Sequence, residues 1–170
     1  MSFADPKLTL RPATGRDGAL IQTWLRRAEI QRWWGSLAAA EAELRIASET
    51  PSAIRMIVAH AGEPIGYGQA VDAGLTGEEA QLSLPPLTWD VSLFIASPAH
   101  RGQGLGLAAL AMLRDEVFAT TLALGLSVVV SVRNEAAVRT YEKAGFRWVR
   151  VLADPLFGKS WLMLCERDAK

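Results

Sequence analysis

A run of glycines lies between a segment that has the pattern of a buried strand and a segment that has the period of a helix. The run 101–106 contains three glycines, follows the apolar run 91–96 and precedes residues 107–118, whose apolar side chains recur at helical spacing. Glycines let the backbone approach a ligand closely, and the first N–H groups of a helix attract anions. The segment therefore predicts a phosphate-binding turn between a strand and a helix.

Length, charge and cysteine content restrict the class of protein. A chain of 170 residues is long enough for one hydrophobic core, so we expect a single domain over residues 1–170. Its 18 basic and 18 acidic residues cancel, which argues against a nucleic-acid or anionic-membrane partner. The single cysteine, Cys165, permits no internal disulfide, and no cysteine cluster suggests a metal site. Without a secretory signal or a long apolar segment, a cytoplasmic protein is expected.

The periodicity predicts the order β-α-α-β-β-β-α-β-α-β-β. We expect an α/β (α+β) fold, with a mixed, mostly antiparallel sheet and helices on both of its faces. The first helix would start at Thr14 or Asp17 and continue to a stop at Trp33-Trp34-Gly35, and residues 74–86 would form a loop or lid. The strand 126–132 is apolar almost throughout, which predicts the centre of the sheet. The other predicted strands are 8–11, 56–59, 65–71, 89–96, 146–152 and 160–165, and the other predicted helices are 36–48, 107–118 and 136–144.

Two common nucleotide signatures are absent from the glycine run. The sequence has no Gly-x-x-x-x-Gly-Lys-Ser/Thr string, and Leu107 stands where a dinucleotide fingerprint that begins at Gly102 would need glycine. Because both signatures are absent, ATP and NAD are disfavoured. A turn without a ligand remains an alternative for this segment.

Several motifs together resemble the GNAT superfamily of N-acetyltransferases. They are Arg101-x-x-Gly104-x-Gly106 after the run 94–98, Asn134 some thirty residues later, and Tyr141-Glu-Lys-Ala-Gly-Phe146. The resemblance implies acetyl-CoA as the acetyl donor, with its pyrophosphate on the amides of residues 102–107 and its pantetheine arm along the strand before them. The implied cofactor-binding residues are Phe94, Ile95, Arg101, Gly102, Gln103, Gly104, Leu105, Gly106, Leu107, Asn134 and Tyr141.

The same resemblance gives Tyr141 a catalytic role beside the departing CoA thiolate. A tyrosine has a pKa of about 10 and a thiol about 8.5, so a hydrogen bond to the developing thiolate is a safer description than complete proton transfer. A half-buried core tyrosine is the structural alternative. Asn134 is equally suited to cap the following helix, and it can do both.

An acceptor amine must lose a proton before it attacks, because an alkylammonium has no lone pair. Asp90 is the candidate base, since it shares a strand face with Ser92 and Phe94. A strand-end carboxylate without catalytic function is the alternative. His60 and His100 are weaker candidates, because each flanks another element.

Within the superfamily, the chain resembles the aminoglycoside 6'-N-acetyltransferase-like group through Trp24-Leu25, the Trp33-Trp34-Gly35 turn and the run 63–67. This group usually carries an acidic residue two positions before the Phe-Ile pair, where Ser92 stands here. The expected acceptor is a primary amine of a small molecule, attacked directly in a ternary complex. The expected substrate-binding residues are Trp33, Trp34, Asp72, Asp90 and Ser92.

Other acceptors and another class of protein stay open. A siderophore-precursor amine, a protein N-terminus and a catalytically silent CoA-binding module all fit the same motifs. The oligomeric state is expected to be monomer or homodimer.

Overall fold

A seven-stranded sheet forms the frame of the molecule, which a computed structural model describes over residues 5–168. The strands lie in the order β1-β2-β3-β4-β5-β7-β6, and all neighbours are antiparallel except β4 and β5. The mixed, mostly antiparallel sheet is the predicted one. The strands are β1 (Leu8–Pro12), β2 (Ile54–His60), β3 (Glu63–Asp72), β4 (Thr88–Ile95), β5 (Gly125–Ser131), β6 (Arg147–Asp154) and β7 (Gly158–Glu166).

Helices cover both faces of the sheet, as predicted. One face packs on α6 and α7, and the other on α1, α2 and α3, each through an apolar cluster of buried side chains. None of the helices within residues 5–168 has the length and apolar character needed to cross a bilayer. The helices are α1 (Gly18–Leu25), α2 (Ala28–Trp34), α3 (Leu37–Glu49), α4 (Ala73–Thr76), α5 (Glu78–Gln81), α6 (Leu105–Thr120) and α7 (Glu135–Lys143).

Three details of the predicted order were wrong. The first helix is two helices, because the chain breaks at Arg26 and Arg27, where Arg27 is extended and its guanidinium donates to Ala96 O at 2.6 Å. The segment 74–86 is not a loop throughout, since α4 and α5 lie at its start. The strand β5 is interior, but the middle strand of the seven is β4.

Side chains cap the N-termini of α3 and α7, and the cap at Asn134 is the predicted one. Ser36 accepts a hydrogen bond from Ala39 N–H, and the Asn134 side chain accepts one from Ala137 N–H at 3.2 Å. After α7, Gly145 has a φ of 98°, the left-handed conformation expected at the end of a helix. Asn134 is thus a helix cap in the structure, whatever else it contacts.

Gly66 allows β3 to lie close to β4. A β-carbon at this position would come within 2.3 Å of Phe94 O and 3.1 Å of the Ile95 α-carbon. Both contacts are with backbone, which cannot rotate away as a side chain can. The glycine therefore determines how β4 is held along its β3 side.

We expect Gly66→Ala to lower the free energy of unfolding by about 1–3 kcal/mol, or roughly 2–12 °C in Tm, because the new methyl group forces β3 away from β4. Thermal unfolding followed by circular dichroism measures the change. Gly15→Ala is the control, since a β-carbon there meets nothing within 4 Å. Equal Tm values for the two variants would contradict the close approach.

Candidate active site

The two parallel strands at the middle of the sheet separate and leave a cleft between them. β4 and β5 pair only from Thr88 to Asp90 and from Gly125 to Ser127. Beyond these residues β4 continues beside β3, and β5 continues beside β7. The edge of β4 that faces β5 has no strand partner after Asp90 in the part of the chain that the structure describes. Its peptide groups are therefore available to an extended ligand.

A cavity of about 300 Å³ occupies this cleft. Val91 to Ile95 of β4 form one wall, and Val128 to Ser131 of β5 form the other. The remaining lining residues come from α2, α3, the glycine run, α7 and the connection between β6 and β7. They are Glu29, Ile30, Trp33, Trp34, Glu43, Arg101, Asn134, Ala137, Tyr141 and Phe157.

The glycine run forms the turn between β4 and α6. Gly102 and Gly104 have φ values of 71° and 77°, so both need the left-handed conformation that glycine adopts without strain. Gly104 stands at the start of α6, and Ala108 N–H donates to Gly104 O at 3.1 Å. The amides that come before Ala108 in this first turn have no intrahelical acceptor. The turn thus has the geometry predicted for holding an anion.

Arginines fasten this turn to the end of β4. Arg101 donates to Ile95 O at 3.0 Å and to Ala96 O at 3.1 Å. Arg27 donates to the same Ala96 oxygen, which connects the break between α1 and α2 with the turn. Since Arg101 also lies 3.8 Å from Glu29, part of its charge is used within the protein. Its side chain lines the cavity and at the same time holds the turn in position.

Tyr141 projects from α7 toward the same cleft. The residue is 9% exposed, and its ring packs edge-on against Phe146 at 5.2 Å. Burial, with a contribution from the charge of Asp90, raises the pKa of the Tyr141 hydroxyl above its usual value. The hydroxyl therefore stays protonated at neutral pH and is a hydrogen-bond donor to a group in the cleft.

The paired tryptophans belong both to the core and to the cavity. Trp34 packs perpendicular to Phe94, with ring centres 5.0 Å apart, and lines the cavity beside it. Trp33 is half-buried, with the Arg32 guanidinium 4.7 Å from its ring centre. Both tryptophans that were expected to bind substrate therefore line the cavity, and Trp34 also packs in the core.

Asp90 does not line the cavity. It directly precedes Val91, the first lining residue of β4, and lies at the last pair between β4 and β5. Burial raises its pKa well above the usual range, and the charges of Glu78 and Glu43 add to the effect. A protonated Asp90 is therefore favoured at pH values where an ordinary aspartate is ionised.

Carboxylates from several distant segments lie close together near Asp90. Glu43 of α3, Glu78 of α5 and Asp154 of β6 lie close enough for their charges to influence one another. None of the ion pairs within residues 5–168 involves these carboxylates. We call Glu43, Glu78, Asp90 and Asp154 the acidic cluster. A positively charged ligand would favour the ionised forms of these carboxyls, so the cluster favours such a ligand.

The other predicted residues lie in varied places. Ser92 lines the cavity, whereas Asp72 ends β3 and its carboxylate accepts from Gly74 N–H at 2.9 Å, outside the lining. His60 and His100 lie together, with ring centres 5.2 Å apart, away from the cavity. Gln103 lies in the turn and donates to Ala99 O.

Glu43 is the main functional candidate that sequence reasoning missed. It follows Ala40 by three residues and precedes Ala47 by four, so it borders the buried face of α3. A charged residue at the border of an apolar helix face was a weak signal. Its approach to Glu78 and Asp154 depends on contacts between distant segments, which no local pattern reveals.

Comparison with known proteins agrees with this architecture. The profile of the family described as Acetyltransferase (GNAT) domain matches residues 13–153. Aminoglycoside N(6')-acetyltransferase type 1 of Klebsiella pneumoniae is 29% identical over 154 residues, which cover 84% of this chain and 75% of that protein.

Solved structures give the same result. The crystal structure of aminoglycoside acetyltransferase AAC(6')-Ib in complex with coenzyme A and kanamycin has a TM-score of 0.80 at 30% identity, over 94% of this chain and 95% of that one. A spermidine N-acetyltransferase from Vibrio cholerae, in complex with CoA and spermine, has a TM-score of 0.75 at 19% identity, over 95% and 96%, and shares the fold.

The chain therefore belongs to the GNAT acetyltransferases. The predicted fold, the enzyme class of N-acetyltransferase and acetyl-CoA as the acetyl donor are confirmed. The roles of individual site residues stay predictions.

Gly106→Glu distinguishes a phosphate cradle from an ordinary turn. A glutamate in the first turn of α6 complements the helix dipole but repels a pyrophosphate, and a β-carbon at this position makes only an ordinary 3.7 Å contact with Ile95. We expect the KM for acetyl-CoA to rise at least about 10-fold while Tm stays the same or increases, since about 1.4 kcal/mol corresponds to a factor of ten.

Initial rates against acetyl-CoA concentration, together with thermal unfolding, measure both effects. Leu122→Glu adds the same charge at a side chain that is 83% exposed and outside the cavity lining, so its KM should not change. An unchanged KM in Gly106→Glu would rule out the cradle.

Proposed function

We propose that this enzyme acetylates a primary amine of a small polycationic molecule, an aminoglycoside-like or polyamine-like acceptor, by direct attack in a ternary complex. The carrying observation is the cleft between β4 and β5, whose lining includes Arg101 of the glycine run and Glu43 of the acidic cluster. Similarity to aminoglycoside acetyltransferases supports this acceptor class.

The proposed binding of the donor uses three features of the chain. The amides of Gly102 to Leu107 hold the pyrophosphate, Arg101 and Asn134 flank the cleft, and the free edge of β4 at Phe94 and Ile95 pairs with the pantetheine arm. A β4 amide that points into the cleft also donates to the thioester oxygen as negative charge develops there. Acetyl-CoA, when bound, supplies the activated acetyl group.

Tyr141 stabilises the leaving sulfur. Its raised pKa makes it a weak acid, so its contribution is a hydrogen bond to the thiolate as charge develops. A neutral donor held in a buried position needs no reorganisation during the reaction.

The acidic cluster supports a cationic acceptor over the alternatives. An acceptor with several ammonium groups compensates carboxylates that have no cation of their own within residues 5–168. Of these carboxylates Glu43 lines the cavity with Ser92, so it can take the place of the acid that is missing at Ser92. A siderophore-precursor amine or a protein N-terminus offers a single positive charge, and a silent CoA-binding module needs no acidic cluster.

A cytoplasmic location and a monomeric or homodimeric state complete the proposal. The single cysteine, Cys165, is buried and unpaired, which is compatible with a reducing compartment.

A CoA-release assay across amines tests the acceptor class. We expect kcat/KM to be highest for aminoglycosides and polyamines and to fall for monoamines, single amino acids and N-terminal peptides. High salt should reduce the preference, because the distance beyond which exposed charges are screened falls from about 8 Å at physiological ionic strength to about 3 Å at 1 M. Equal turnover of monoamines would contradict the acceptor class, and an acetyl-CoA thermal shift without CoA release from any amine would indicate the silent module.

Tyr141→Phe tests the leaving-group role. We expect kcat to fall by about 10²-fold, the lower end of the range for such groups, while the acetyl-CoA thermal shift is retained. Single-turnover measurements ensure that chemistry is observed. An unchanged rate constant for acetyl transfer would assign Tyr141 to packing against Phe146 alone.

A further inference from the structure

An acceptor amine that binds as an ammonium must lose a proton before it attacks the thioester. Glu43 is placed to remove that proton. Glu43 lines the cavity together with Ser92, Phe94 and Trp34, whereas the predicted base, Asp90, does not line it. The Glu43 side chain remains exposed to the cleft. It is therefore a carboxylate that an acceptor in the cavity can contact directly.

We propose that Glu43, rather than Asp90, is the base that takes a proton from the acceptor ammonium. This assignment rests on the proposed function. The position in α3 is unlike that of the acid expected beside Phe94, where the chain has Ser92.

The surroundings of Glu43 adapt it to this role. Although the side chain is open to the cleft, the surrounding protein limits its contact with bulk water, and this raises its pKa, with Glu78 and Asp154 adding to the effect. The resulting pKa is about 7. A base with a pKa near the working pH combines a large ionised fraction with a useful affinity for the proton.

The charged neighbours come from several elements around the cleft. Glu78 of α5 and Asp154 of β6 raise the proton affinity of Glu43, and Glu43 in turn raises that of Asp90 on β4. Glu29 of α2 is 3.8 Å from Arg101 in the turn, so that pair is close to neutral. The net charge of the groups around Glu43 is therefore negative.

The step balances in atoms and charge. One proton moves from the ammonium to a Glu43 carboxylate oxygen, and the nitrogen lone pair then forms a bond to the acetyl carbon. The carbon–sulfur bond breaks with its electron pair on sulfur, which takes the second amine proton with the Tyr141 hydroxyl beside it. Glu43 then releases its proton to solvent, so one ammonium and acetyl-CoA give one amide, one thiol and one proton.

The pH profile of kcat/KM distinguishes this base from free-amine attack. In the wild type, kcat/KM should rise to a plateau that begins near pH 7. In Glu43→Gln only the free amine reacts, so kcat/KM should climb tenfold per pH unit toward the acceptor pKa of about 10. Near pH 7.5 the variant should be slower by about 10²-fold, the scale typical of a general base.

Glu41→Gln and Asp90→Asn are the comparison variants. Glu41 lies on the same helix outside this cavity, and its substitution should leave the plateau in place. If Asp90→Asn, rather than Glu43→Gln, removed the plateau, Asp90 would be the base and the assignment would be wrong. A raised KM with the plateau retained in Glu43→Gln would make Glu43 a binding residue only, which also overturns it.

A carboxyl titration of the protein without acetyl-CoA gives a readout independent of activity. With ¹³C-labelled glutamate, we expect one carboxyl signal to titrate near pH 7, against about 4.3 for an ordinary glutamate, and to be missing from Glu43→Gln. A Glu43 signal that titrates near 4.3 would overturn the assignment. Failure of the wild type to release CoA with any amine would instead overturn the proposed function.

Discussion

The short parallel contact between β4 and β5 determines the rest of the structure. Three residues of each strand pair, and the strands then follow different partners. A sheet that separates in its interior leaves peptide groups that must find other partners, because an unpaired buried N–H or C=O is costly. The separation therefore makes a place for an extended ligand, and it also lets Tyr141 approach β4 from α7.

The contacts around the cleft preserve this separation. Gly66 permits β3 to hold β4 on one side, and the side chains of Arg27 and Arg101 share the Ala96 oxygen at the end of the strand. The glycine turn then directs the start of α6 at the mouth of the cleft. The backbone oxygens of Ile95 and Ala96 thus connect the break between α1 and α2, and the glycine turn, to the end of β4 at the site.

The glycine turn, the strand before it and the caps at Asn134 and Gly145 could be predicted from the sequence, because each depends on residues within one short segment. The break between α1 and α2 could not, since it involves a hydrogen bond from Arg27 to Ala96, 69 residues away.

The acidic cluster could not be predicted for the same reason. Its four carboxylates come from α3, α5, β4 and β6, and only the folded chain brings them together. The loop 74–86 was expected to be irregular, yet α5 within it carries Glu78. A local count of acids near the glycine motif therefore misses the carboxylates that distant segments bring near the cleft.

The acidic cluster also links the protonation of two candidate catalytic residues, Tyr141 and Asp90. Burial, with a contribution from Asp90, raises the pKa of Tyr141, and burial, with contributions from Glu78 and Glu43, raises the pKa of Asp90 itself. A cationic acceptor lowers the raised pKa values of the carboxyl groups again, because a positive charge near the carboxylates favours their ionised forms. Binding of the ammonium thus keeps Glu43 ionised and ready to accept a proton, and the acidic cluster couples acceptor recognition to proton removal.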